Sequence, residues 1–314
     1  MNFSRIPLGT TSLEIPPLGI GAWSWGDKMF WGYGRGYGEA DIREAFDTCM
    51  QAGINFFDTA EVYGLGQSEK MIGRFLKADG RPALLATKFF PFPFRLTKGS
   101  LQRALRGSLR RLQVDTVDLY QIHQPFGLIP DKTLMQSLAD AASAGTIRAA
   151  GVSNYNPERT RRCAALLKTT GLSLASNQIS FSLLNRKPEK EGLLNLCREL
   201  GVTVIAYSPL AMGMLSGRYT ADSPPRDFRG NRYSREFLSR LPPLLDLMRE
   251  IGRAHGGRSL VQVALNWTIG KGTVPIPGVK NKRQAEDVIA ALEWRLTGEE
   301  IAQLDAASDA VGSR

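Results

Sequence analysis

The sequence predicts an α/β chain folded as a (β/α)₈ barrel of the TIM type, and three observations carry that expectation. Short apolar strands alternate with helix-spaced segments along the chain, eight such strands fit in its 314 residues, and no polar break separates two halves. A chain of this length buries roughly three quarters of its unfolded surface, enough for one large core. One domain over residues 1–314 is therefore expected.

Taken in order, RIPLGTTSLEI (5–15) reads as a hairpin over one end of the barrel, and LGIGAW (18–23) as the first barrel strand. ADIREAFDTCMQAGI has apolar residues at helical spacing and stops at Gly53, ahead of the strand INFFDTA. EKMIGRFLK then precedes ALLATKF, SLQRALRGSLRRL precedes VDLYQIH, and TLMQSLADAASAG precedes TIRAAGVS. A helix from Pro157 to about Leu167 leads to LASNQIS, EKEGLLNLCRELG leads to VTVIAYSPL, and LVQVALNWTIG leads to TVPIPG. QAEDVIAALEWRLTGEEIAQLDAAS supplies two extra C-terminal helices. Two segments fall outside the repeat, WSWGDKMFWGYGRGYG (23–38) and GRYTADSPPRDFRGNRYSREFLSRLPP (217–243). Both follow strand C-termini, where barrel enzymes build their pockets, so both are expected as loops walling a site.

Composition narrows the functional classes. Hydrophobic residues are 43% and charged residues 22% of the chain, ordinary for a folded soluble protein. MNFSRIPLG lacks a secretory apolar stretch, and no segment approaches the roughly 20 apolar residues of a membrane span. A cytoplasmic location, no membrane partner and a monomer are the expectations. Cys49, Cys163 and Cys197 sit in apolar helical contexts and read as buried thiols.

The net charge of +10 raises nucleic-acid binding. The basic residues are scattered, however, and their densest clusters (Arg103, Arg106, Arg110 and Arg111; Arg159, Arg161 and Arg162) fall on outer helices with few aromatics beside them. No nucleic-acid partner is expected, and an anionic cofactor accounts for the charge more simply. With only His123 and His255 in the chain, no metal centre is expected, and no GxSxG elbow supports a hydrolase. The glycines at 32, 34, 36 and 38 lack the spacing of a Rossmann loop.

Four polar residues remain. Asp58 ends the second strand, Tyr63 follows five residues later, Lys88 ends the third strand and His123 ends the fourth. In a barrel, all four face one rim.

GINFFDTAEVYGLGQSE (53–69), with Lys88 and His123, resembles the catalytic signature of the aldo-keto reductase family. GVSN (151–154), NQ (177–178), YSPLAMGMLSG (207–217) and IPGVKNKRQAED (276–287) are similar to its cofactor-binding blocks, and the likeness runs from about residue 5 to residue 308. It implies a reductase in which NADP(H) delivers hydride to an aldehyde or reactive ketone while Tyr63 supplies the proton. Lys88 would lower the Tyr63 pKa, Asp58 would hold Lys88, and His123 would donate to the substrate oxygen.

For the cofactor, the resemblance implies that Ser153, Asn154 and Gln178 hold the carboxamide and that Tyr207 stacks on the nicotinamide. Ala22, Trp23 and Asp58 add contacts. Ser208, Leu210, Gly213 and Gly217 would wrap the pyrophosphate, and Lys280, Gln284 and Asn281 would take the 2′-phosphate, favouring NADPH. Asp287 stands where a glutamate is usual, and Val288 where an asparagine is usual. Trp23, Trp25, Trp31, Phe90 and His123 are the expected substrate contacts. A second reading is a nicotinamide-binding regulatory or interaction subunit with little turnover, since some members of the family serve as partners of membrane channels.

Overall fold

A computed structural model describes residues 3–312, so the two residues at each end of the expected 1–314 span lie outside the described residues. The chain opens with an antiparallel hairpin of β1 (Ile6–Pro7) and β2 (Glu14–Ile15). The barrel strands are β3 (Ile20–Gly21), β4 (Phe56–Asp58), β5 (Leu84–Phe89), β6 (Val117–Ile122), β7 (Ile147–Ser153), β8 (Leu174–Ser180), β9 (Thr203–Tyr207) and β10 (Val274–Ile276). All pair in parallel with their sequence neighbours. The ring is closed by Gly19 N to Pro275 O and Gly21 N to Pro277 O, both 3.0 Å.

Between the strands run α1 (Glu39–Gln51), α2 (Gln67–Asp79), α3 (Lys98–Leu112), α4 (Asp131–Ser143), α5 (Pro157–Lys168), α6 (Lys187–Lys190) and α7 (Leu193–Glu199). There follow α8 (Phe228–Arg232), α9 (Arg235–Ser239), α10 (Pro242–Ala254), α11 (Leu260–Gly270), α12 (Lys282–Ala290) and α13 (Gly298–Val311). The expected helix over EKEGLLNLCRELG is broken into α6 and α7 at Gly192, whose φ of +77° is left-handed. The segment 217–243, expected as a loop, folds into α8 and α9 and opens α10 at Pro242, where a missing amide proton costs a helix little. The three cysteines are buried. No helix among the described residues is long and apolar enough to cross a membrane.

What positions the site is the two-residue period of the strands. Side chains two apart share a face, so each inward apolar residue is followed, one step nearer the strand C-terminus, by another inward residue. Phe56, Ala86, Leu119, Ala149, Ala175, Ile205, Val274 and Ile276 form an apolar floor, onto which Leu8, Leu13 and Ile15 of the hairpin pack as a plug. One step further along their strands come Asp58, Lys88, Gln121 and Tyr207. A polar layer therefore lies above an apolar one. Gly151 makes room for it, because a Cβ there would lie 2.4 Å from Ser176 Oγ and 3.0 Å from Gln121 Cγ.

Candidate active site

Lys88 is wholly buried, and its Nζ donates to Asp58 Oδ2 at 2.6 Å, to Thr59 O at 2.8 Å and to Tyr63 Oη at 3.2 Å. The other carboxylate oxygen of Asp58 accepts from Gln178 Nε2 at 2.7 Å and from Gln121 Nε2 at 3.3 Å. Both of its oxygens are thus aimed by donors on different strands. Tyr63 opens a tight 3₁₀ turn, Tyr63–Gly66. Gly64 (φ +54°) carries the backbone against Gly26 O, which a Cβ would approach to 2.8 Å. The Tyr63 ring lies 6.0 Å from that of Trp23 in a stacked arrangement and meets the His123 ring edge-on at 5.7 Å.

Electrostatics decides the protonation states. Burial, reinforced by the Asp58 carboxylate and Tyr207, holds the Tyr63 phenol well above its ordinary value. Burial also lowers the Lys88 amine, with Asp58 working against it, and burial with Lys88 drives His123 well below the usual imidazole range. With all its neighbours in place, the Tyr63 phenol therefore lies above its ordinary value, where the sequence led to the expectation of a more acidic one. The charge of the ammonium is matched by Asp58 at 2.6 Å, so little net field remains to offset desolvation of a phenolate. Tyr63 is a protonated phenol and His123 a neutral imidazole, with a buried Nδ1 that lacks a partner. Because the phenol oxygen accepts from Lys88, its own proton is left to give to another oxygen.

Next to this quartet lies a second polar group. Tyr207 Oη donates to Asn154 Oδ1 at 2.9 Å, Asn154 Nδ2 donates to Ser153 Oγ at 3.1 Å, and Ser153 Oγ donates to Gln178 O at 2.9 Å. The backbone beyond is unusual. Asn154, Ser208, Ala211 and Met212 all have left-handed φ between 48° and 64°, and Gly213 (96°) and Gly217 (73°) also have positive φ. Such strain in non-glycine residues costs roughly 1 kcal/mol or more each and clusters at ligand sites. Leu210 lies within this loop. At the far end, Lys280 is half-buried, with its Nζ 4.8 Å from the Trp31 ring, 4.4 Å from that of Tyr37, and donating to Trp31 O at 3.3 Å. Burial, with Arg229 nearby, pulls its pKa to about 8. Gln284 Oε1 accepts from the Lys280 amide. Among the described residues, no group of three or more His, Cys, Asp or Glu is arranged to hold a metal ion.

Residues 17–309 match the model of the Aldo/keto reductase family. The chain belongs to that family. It is 40% identical over 309 residues to a chloroplastic pyridoxal reductase of Arabidopsis thaliana, covering 94% of this chain and 84% of that one. It superposes on a glycerol dehydrogenase of Gluconobacter oxydans with a TM-score of 0.84 at 26% identity, covering 96% and 94% of the two chains. An aldo/keto reductase from Klebsiella pneumoniae, solved with NADP and acetate, gives a TM-score of 0.76 at 27% identity, covering 97% of this chain and 95% of that one. This chain is accordingly an oxidoreductase of the aldo/keto reductase family, whose members act on small-molecule carbonyl compounds.

Among the expected contacts of this aldo/keto reductase, Trp25 falls elsewhere. Trp25 is not at the mouth. It is fully buried against Phe57 and Phe75, and its indole donates to Val279 O at 2.8 Å, so it ties the barrel to its outer helices. Val288 is buried in the core. Asp287 accepts from Ser259 Oγ at 2.7 Å and Gln262 Nε2 at 2.9 Å, joining α12 to the start of α11. Ala22 is buried, and its amide and carbonyl bond to Asp58 O and Ser68 Oγ. Trp31 packs at 5.7 Å on Phe228, bridging the two loops that interrupt the repeat. His255 binds Glu300 at 2.8 Å and lies against Trp294, outside the site.

Sequence reasoning missed Gln121, Thr59 and Glu61. Gln121 stands two residues before His123 and one inward step above Leu119, a signal that strand period alone could have supplied. Glu61 accepts from the Phe90 amide at 2.7 Å and pairs with Arg95, and so fixes the loop carrying Phe90.

Proposed function

We propose that this chain reduces aldehydes and reactive ketones to alcohols with NADPH as the hydride source and Tyr63 as the proton donor, the whole chain acting as one catalytic unit. The observation that carries the reading is the buried relay Asp58, Lys88 and Tyr63, with Nζ 2.6 Å from the carboxylate and 3.2 Å from the phenol. Bound NADPH would supply hydride to the carbonyl carbon. The residues of this chain do the rest. Tyr63 presents a neutral O–H to the substrate oxygen as it gains charge, and His123, neutral at physiological pH, offers a ring N–H to the same atom. After the proton leaves Tyr63, Lys88 stands within hydrogen-bond distance of the phenolate, and Asp58 keeps Lys88 in line.

Ser153, Asn154 and Gln178 are the proposed carboxamide contacts, and Tyr207 the ring beneath the nicotinamide. The strained loop from Ser208 to Gly217 suits a pyrophosphate, and Lys280 with Gln284 suits a 2′-phosphate. The unsatisfied His123 Nδ1 and the left-handed turn at Asn154 fit a site shaped for a bound partner. Support for NADP comes from the Klebsiella pneumoniae neighbour, and support for a ring-bearing aldehyde from the pyridoxal reductase of Arabidopsis thaliana.

The test is oxidation of NADPH, followed by absorbance, with an aldehyde panel that includes pyridoxal. Turnover by the wild type and a fall of about 10²–10⁴-fold in Tyr63→Phe are expected. No turnover of any aldehyde, or equal rates in the variant, would overturn the reading and favour a binding or regulatory subunit.

A further inference from the structure

We propose that Glu69 is a positioning residue for the proton step, a carboxylate that ties the turn carrying Tyr63 to the strand carrying Lys88 and so sets the distance between them. The inference rests on the reductase reading above. Glu69 is the third residue of α2, which begins directly after the turn Tyr63–Gly66, and it is wholly buried. Its Oε1 accepts from Thr87 Oγ1 at 2.6 Å. Thr87 precedes Lys88 on β5, so the two side chains leave opposite faces of the strand, Lys88 into the barrel and Thr87 toward the helices. Glu69 Oε2 accepts from Arg111 Nε at 2.6 Å, and Arg111, near the end of α3, lies against the last residue of the Tyr63 turn. A Cβ on Gly66 would stand 2.7 Å from Arg111 Cδ and 2.9 Å from its Nε.

One carboxylate therefore holds, from outside the barrel, both partners of the 3.2 Å contact between Lys88 Nζ and Tyr63 Oη. Its neighbour Ser68 fixes the same helix end to the end of β4. Ser68 Oγ donates to Ala22 O at 2.9 Å and lies 2.8 Å from the hydroxyl of Thr59, whose carbonyl accepts from Lys88. The Tyr63 contact is the longest of the three that Lys88 makes, 3.2 Å against 2.6 and 2.8 Å, so it is the first to be lost when the two elements part. A buried ion pair adds little stability over an apolar replacement, whereas short charge-assisted bonds are directional. What Glu69 and Arg111 contribute is thus alignment. The charge of Glu69 also reaches Lys88, where it comes after Asp58 in opposing the drop that burial imposes on the amine, and the variants below leave that charge in place.

The test is steady-state reduction, with NADPH, of the aldehyde that the wild type turns over fastest, by the wild type, Thr87→Val, Thr87→Ser and Glu69→Asp. Valine keeps the shape of threonine and removes the donor, serine keeps the donor, and aspartate keeps the charge but withdraws it by one methylene. A misplacement of about 1 Å costs roughly 10²-fold in rate. Thr87→Val and Glu69→Asp should each lower kcat by about 10–100-fold while the aldehyde KM and the NADPH affinity change by less than about threefold, because the lost alignment acts in the transition state. Thr87→Ser should stay within about threefold of the wild type. The solvent deuterium isotope effect on kcat should rise in the two slow variants, since a displaced phenol slows proton transfer, whereas a sample that merely holds fewer folded molecules keeps the wild-type value. Thr87→Val or Glu69→Asp within about threefold of the wild type, Thr87→Ser as slow as Thr87→Val, a loss carried by KM, or an unchanged isotope effect overturns this inference alone. Should urea titration show that one of the two slow variants does not fold, the other decides. Absence of wild-type turnover with every aldehyde overturns the reading beneath it.

Discussion

Replacing Asp58 by asparagine tests the relay at its root. Asp58 serves two sets of donors at once, Lys88 Nζ at 2.6 Å on one oxygen and Gln178 and Gln121 amides at 2.7 and 3.3 Å on the other. An asparagine has one oxygen. Whichever way its amide turns, its NH₂ faces a donor, either the Lys88 ammonium or the two glutamines. With Lys88 wholly buried, losing the counter-ion of the pair costs about 3–5 kcal/mol of stability near neutral pH.

The pH dependence of that loss has a definite sign. Without Asp58, burial drives the Lys88 amine still further below its unfolded value of about 10.4. A base whose folded value is depressed costs stability in full below that folded value, and the cost fades as pH rises toward the unfolded one. Urea unfolding of the wild type and Asp58→Asn should therefore show a deficit that is largest near about pH 6 and smaller by about 1 kcal/mol or more near about pH 9.5. A deficit that is constant, or that grows with pH, would refute the claim that an unmatched ammonium is the cause. The double variant D58L/K88M supplies a control. It should recover to within about 2 kcal/mol of the wild type while remaining inactive, because apolar replacements of a buried ion pair are often neutral.

Further outcomes follow from two groups outside the relay. Lys280→Ala should weaken NADPH binding by about tenfold or more and NADH binding little, read by quenching of tryptophan fluorescence. Because burial and Arg229 hold the free amine at about 8, wild-type NADPH affinity should fall as pH rises through that value, and Lys280→Arg should remove the dependence. On α4, burial alone would raise the Asp131 carboxyl, but hydrogen bonds from Arg159 and Arg162 hold it below its ordinary range. Its contribution to stability is thus present above the unfolded value of about 3.9 and lost as pH falls through the folded one. Asp131→Asn should cost about 1–2 kcal/mol near neutral pH in denaturant titrations, and the gap to the wild type should close in acid.

The barrel was legible because its strands are short, apolar and regularly spaced by amphipathic helices. The placement of Asp58, Lys88 and His123 on one rim followed from where those strands end. The rest depended on distance and direction, which a linear pattern does not carry. Trp25 sits two residues from Trp23 in an aromatic run, but its ring turns into the core and its indole finds a backbone carbonyl more than 250 residues away. The sign of the Tyr63 shift turns on how deeply the phenol is buried and on how near Asp58 and Tyr207 come to it. Gln121 stands out only once its inward neighbours on the strand are counted. The helices α8 and α9 are each five residues long, too short to show a period.

The hairpin that plugs the barrel also sets which side of the molecule is free for handling. Leu8, Leu13 and Ile15 sit on the floor formed by the early part of the strands, whereas the proposed site lies at their carboxyl ends. A tether fixed near Phe3 would therefore anchor the protein by its back and turn its mouth toward solution. Trimming the chain past Ile15 would instead unseat those three side chains and let water into the bottom of the barrel, at the end away from the polar layer.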